Sequence, residues 1–205
     1  MRVFVTAFVC SVILVAAVDV GAQDRRLVAA AVDQDRARVE ALVAEGIDVN
    51  VARADGSTAL LWAAHWNDLK VADLLLEAGA DPNAADDHGV TPLERAAENA
   101  SLEMAERLLA GGATATVAQG SGLTPLMTAA RTGNVDLVRA LIDGGADVNA
   151  TTVETNSTAL MWAVAAPHPS IVRLLIDRGA DPTIETIPGF TPLMFAARNG
   201  DIPMA

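Results

Sequence analysis

Apolar residues are arranged along this chain in two ways. Val3 to Val18 form a continuous apolar stretch behind the basic start Met1-Arg2, whereas from Leu27 onward apolar and polar residues alternate in a recurring order. Within the recurring part, one set of segments carries apolar residues on a single side, as in Val71, Leu74 and Leu75 and again in Ile171, Leu174 and Leu175. That spacing predicts short amphipathic helices. A second set carries the small pairs Ala63-Ala64, Ala96-Ala97 and Ala129-Ala130, which let neighbouring helices approach closely.

Two independent markers fix the period. Thr58-Ala59-Leu60, Thr91-Pro92-Leu93, Thr124-Pro125-Leu126, Thr158-Ala159-Leu160 and Thr191-Pro192-Leu193 follow one another at 33, 33, 34 and 33 residues. Gly46, Gly79, Gly112, Gly145 and Gly179 keep the same rhythm. The single extra residue lies between Gly145 and Thr158, where it enlarges a loop and spares the helices. Thr-Pro opens a helix, because proline has no amide hydrogen to leave unpaired in the first turn. Asp68, Ser101, Asn134 and Asp201 share the position ahead of the second helix and read as N-caps. The fourth full unit departs, with His168 at the cap and Pro169 just inside; Pro203 falls one residue deeper in the last unit, still within the first turn. Each glycine lets the backbone turn left-handed after the second helix. One such unit cannot bury its apolar side alone, but a stack can.

The clearest unit runs Thr124-Pro125-Leu126-Met127-Thr128-Ala129-Ala130-Arg131-Thr132-Gly133-Asn134, then Leu137 to Ile142, then Gly145-Ala146-Asp147-Val148-Asn149-Ala150. It resembles the ankyrin repeat, a β-turn and two antiparallel helices, and in style the exported bacterial proteins that carry it. The resemblance implies an all-α solenoid and covers essentially everything behind the leading stretch. Residues 23–50 read as a degenerate first repeat without the Gly-x-Thr-Pro turn, 51–83, 84–116, 117–149 and 150–183 as complete repeats, and 184–205 as a truncated one. Arg25, Arg26, Arg36 and Arg38 would give the first unit a solvated capping face. At the other end the expectation is either a fragment lacking later repeats or a face packed on a partner or another copy of the chain. Where the family has histidine after Thr-Pro-Leu, this chain has Leu61, Glu94, Met127, Met161 and Met194.

Composition refines this picture. Residues 1–22 have the form of a secretory signal cut between Ala22 and Gln23. The sixteen-residue apolar run would reach about 24 Å as a helix, short of the roughly 30 Å hydrocarbon layer. Removal leaves about 183 residues and no cysteine, since Cys10 lies inside the run. The expected location is periplasmic or secreted. Aromatic residues make up 3% of the chain, so the core must be aliphatic. The formal charge of −12 argues against a nucleic-acid binder.

The resemblance implies that a partner protein docks on a concave surface of turn tips and first helices. Carried onto this chain, that surface comprises Asp55, Ser57, His65 and Trp66; Asp87, His88, Val90, Glu98 and Asn99; Ser121, Leu123, Arg131 and Thr132; Glu154 and Ser157; and Phe190, Arg198 and Asn199. Trp66 is the natural anchor, and a basic partner suits the acidic rim. Trp62, Trp162 and Phe195 share a different register and are expected to fill the core. No phosphate loop, His-Glu-x-x-His or nucleophile elbow occurs, so no catalytic residue, cofactor or metal is expected. His65 and His88 beside Asp55 and Asp87 are the nearest thing to a metal set, and nothing fixes their geometry. The function expected is a non-catalytic binding scaffold, with an exported enzyme inhibitor or protective accessory, or the repeat portion of a longer enzyme, as alternatives.

Overall fold

The computed structural model describes residues 20–116 and 118–198, with side chains from residue 25 onward. Residues 1–19 of the expected leader, with Cys10, and Asn199, Asp201 and Pro203 lie outside the described residues.

Eleven helices are described: α1 (Val20–Val32), α2 (Arg36–Ala44), α3 (Ala59–His65), α4 (Leu69–Glu77), α5 (Pro92–Glu98), α6 (Leu102–Ala110), α7 (Pro125–Thr132), α8 (Val135–Asp143), α9 (Ala159–Ala165), α10 (Pro169–Asp177) and α11 (Pro192–Arg198). The odd-numbered helices pack side by side as one layer, and α2, α4, α6, α8 and α10 as a second. No strand occurs among the described residues. This is the expected all-α solenoid. Helix α1 begins at Val20, upstream of the expected cleavage point.

The threonine of each Thr-Pro-Leu or Thr-Ala-Leu is itself the N-cap. Thr58, Thr91, Thr124 and Thr158 accept from the amides of Leu61, Glu94, Met127 and Met161. The cap therefore survives where alanine replaces proline. Asp68, Ser101 and Asn134 cap the second helices as expected, and Asp35 does the same for α2. His168 makes no cap bond. Its ring instead pairs with the Arg131 carbonyl at 3.1 Å, joining two units. Arg36 is not merely a solvated end group, because its guanidinium clasps Asp68 of the next unit at 2.9 and 3.0 Å.

The core is a thin aliphatic slab in which every member of the alanine pairs from Ala30-Ala31 to Ala129-Ala130 is buried. Leu75, Leu108, Leu141 and Leu175 run through the second layer, all fully enclosed.

Loops lock the register. At the tips, Arg53, Asp86, Gln119 and Thr186 donate their amides to the carbonyls of Ser57, Val90, Leu123 and Phe190, four residues on, but Thr152 reaches Ser157, five on. The extra residue of the fourth unit is thus absorbed in its tip, where Asn156 takes the left-handed conformation that Gly56, Gly89, Gly122 and Gly189 adopt elsewhere. At Gly122 a side chain has no room: an added Cβ would lie 2.9 Å from the Thr151 carbonyl oxygen.

At the opposite loops, Asn50, Asn83 and Asn149 each donate to the carbonyl of the next unit's glycine (Gly79, Gly112, Gly179) at 3.0–3.1 Å. They also accept from the amides of Asp81, Thr114 and Asp181 at 2.7–2.8 Å. Asp81, Asp147 and Asp181 fold these loops by accepting from the amide two residues on. Thr116 occupies the asparagine position in the second complete unit and has no amide group to bridge toward Gly145. Tip-to-tip bonds join Asp87 to Asp55, Val153 to Ser121 and Ile187 to Thr155. Among the described residues no such bond joins the second and third tips. Thr116→Asn is expected to add about 1 kcal/mol of stability, a rise of roughly 2–4 °C in melting temperature measured by circular dichroism.

Candidate functional site

The tips and first helices line a groove, most developed over the first two complete units. Trp62, His65 and Trp66 lie three and four residues apart, so they share one side of α3. Their rings form a chain: Trp62 meets His65 edge-on with centroids 5.3 Å apart, and His65 meets Trp66 at 4.6 Å. Trp66 remains 43% exposed. With Asp55, Ser57, Asp86, His88 and Arg95, Trp62 and His65 line a cavity of about 250 Å³.

Hydrogen bonds fix this wall. The Trp62 indole N–H donates to the Ser57 hydroxyl at 3.1 Å, and that hydroxyl donates to Asp55 at 2.6 Å. The Ser57 hydroxyl and then its amide hold the Asp55 carboxyl below the usual carboxylate range. Asp86 accepts from the amides of His88 and Val90, both at 2.9 Å. Arg95 donates to Glu98 at 2.7 Å and stands 3.8 Å from Asp86.

Beneath the groove lies a carboxyl in an apolar setting. Glu94, at the usual histidine position, is 2% exposed. The Thr128 hydroxyl of the next unit donates to its Oε1, while Oε2 is buried without a hydrogen-bond partner. Burial pushes the Glu94 pKa up to about 7; Glu98 adds to the rise, while the Thr128 bond, Arg95 and Arg131 oppose it.

A second hollow of about 180 Å³ lies over the later units, lined by Ser157, Met161, Trp162, Ala165 and Phe195. Arg131 stands 6.0 Å from the Trp162 ring, Arg198 5.3 Å from Phe195, and Phe190 5.9 Å from Phe195. The longer fourth tip explains one difference from the first unit. Ser157 hydrogen-bonds Thr155 at 2.8 Å, and the Trp162 indole N–H is left buried without a partner. A larger apolar hollow of about 540 Å³ lies between α9, α10 and α11, away from these rings.

A family model described as ankyrin repeats in three copies matches residues 27–119 and 93–186. The chain belongs to the ankyrin-repeat family. No curated protein gives a significant match to the chain. In ankyrin terms, the groove joins the turn tips to the first helix of each repeat, and the inner side of that helix faces the next repeat. Leu61, Glu94, Met127 and Met161 all occupy this inner position and are buried.

Of the residues expected on the contact surface, Asp55, Trp66, Asp87, His88, Glu98, Asn99, Ser121, Arg131, Glu154, Phe190 and Arg198 are exposed, and His65, Leu123, Thr132 and Ser157 are half-buried. Ser57 and Val90 are corrections: at 3% and 7% exposure they are structural members of the tips, one holding Trp62 and the other closing the turn on Asp86. The Asn99 amide is occupied by the carbonyls of Ala64 and His65. Of Trp62, Trp162 and Phe195, expected as core filling, Trp62 and Trp162 do pack against the core, but all three are half-buried and also line the two hollows. The spacing of Trp62 from Trp66 was the signal for this. Asp86 and Arg95 carried no such signal, because folding between repeats brings them into the cavity. Among the described residues no three His, Cys, Asp or Glu side chains are close enough to hold a metal ion, and no helix is long and apolar enough to cross a membrane.

Proposed function

We propose that this chain is an exported, non-catalytic scaffold that grips a partner protein along its concave ankyrin surface. The observation that carries the reading is Trp66, a large aromatic left half in solvent yet stacked into an ordered row with His65 and Trp62. Such a ring is already oriented, so contact costs little conformational entropy, and central tryptophans dominate many interfaces. Export is supported by the apolar, signal-like start of the sequence.

Two measurements test this. Partners captured from the exported compartment should be bound at least about tenfold more weakly by Trp66→Ala. Equal retention of every partner would remove the groove from the account. N-terminal sequencing of the mature chain should begin at Gln23, and an intact Met1 in the cytosolic fraction would overturn export.

A further inference from the structure

We infer that the groove over the first two complete repeats takes an arginine or lysine side chain from an extended basic segment, seated against Trp62 and His65 beside Asp55 and Asp86, with the exposed Trp66 next along the ring row. This rests on the concave-surface reading above and names the chemistry of the partner.

Three independent features converge. The first is shape: a cavity of about 250 Å³ is deep enough for one long side chain and open to the groove along which a strand could lie. The second is the wall. Indole faces attract a cation through their negative π-surface, and a desolvated contact of this kind is worth more than an exposed one. The third is charge. Asp55, Asp86, Asp87 and Glu98 stand at this end of the groove against Arg53 and Arg95. Asp55 is held ionised by Ser57, and among the described residues neither Asp55 nor Asp87 is in an ion pair.

The protein's own arginines show that the surface accommodates the group. Arg53 lies 6.0 Å from the Trp62 ring centroid, and Arg95 reaches toward both Asp86 and Glu98. One guanidinium is thus held by a ring and another by carboxylates, while Trp66, Asp55 and Asp87 offer the same chemistry outward. An acidic segment would meet like charges here, and a second copy of this chain would bring its own −12.

The experiment uses a fluorescent glycine-serine peptide carrying spaced arginines, an otherwise identical peptide with citrulline in their place, and one with glutamate. Citrulline keeps the shape of arginine and removes its charge. Anisotropy titrations on the full chain should give binding of the arginine peptide, at least about tenfold weaker binding of the citrulline peptide, and none of the glutamate peptide. Trp66→Ala should weaken arginine-peptide binding about tenfold, and Asp55→Asn with Asp87→Asn should flatten its salt dependence, with thermal melting of each variant confirming the fold.

Equal binding of arginine and citrulline peptides, or no arginine-peptide binding up to about 1 mM, overturns the proposal. Self-association of the chain that Trp66→Ala abolishes would assign the groove to a second copy and also overturn it. A captured partner that depends on Trp66 but lacks a basic segment would sink this inference while leaving the concave-surface reading intact.

Discussion

Glu94→Gln should make the repeat array more stable than the parent at pH 8 by roughly 3 kcal/mol, and no more stable at pH 4. The folded chain holds the Glu94 proton up to about 7, whereas an ordinary glutamate releases it near 4.5. Between those values unfolding releases a proton, so rising pH favours the unfolded chain. The loss accumulates across that window and is complete above it. Below it both states are protonated and the side chain contributes no pH dependence. Glutamine keeps the size and can still bond Thr128, but it has no charge to bury. Urea unfolding of both proteins across the window should give curves that separate as pH rises. Parallel curves would show that Glu94 finds solvent or a counter-charge in the folded chain.

Leu108→Ala should cost about 3 kcal/mol. Leu108 is fully buried in α6, which packs against both α4 and α8. Removing its side chain therefore weakens two interfaces at once. In a solenoid each unit contacts only its neighbours, so the damage should stay local before it becomes global. Hydrogen exchange should accelerate in α4, α6 and α8 more than in α2 and α10. A uniform acceleration along the array would mean that it unfolds only as one block.

What could be read in the sequence was what repeats. Thr58, Asp68 and Gly79 act through bonds to residues a few places away, so their spacing alone announces helices, caps and turns. The extra residue of the fourth unit was legible as a loop, and its position in the tip follows from Asn156 standing in for a glycine. Glu94 was visible as a departure from the family. Its burial and its bond to Thr128 were not, because they depend on the facing surface of another repeat. The same holds for Ser57, whose small polar side chain reads as exposed until Trp62 is seen to need its hydroxyl. Trp62 and Trp162 pack against the core as their register implies, but that register also borders the groove, and a ring as large as indole spans both.

The junction between the second and third complete repeats lacks the asparagine bridge and, among the described residues, a tip-to-tip bond. The side-chain bonds that cross it are those of the Thr128 hydroxyl to Glu94 and of the Asn134 amide to the Ala100 carbonyl. Viewed mechanically, the two blocks on either side are joined here through their packed helices and inner turns, with less of the loop bonding that ties the other junctions.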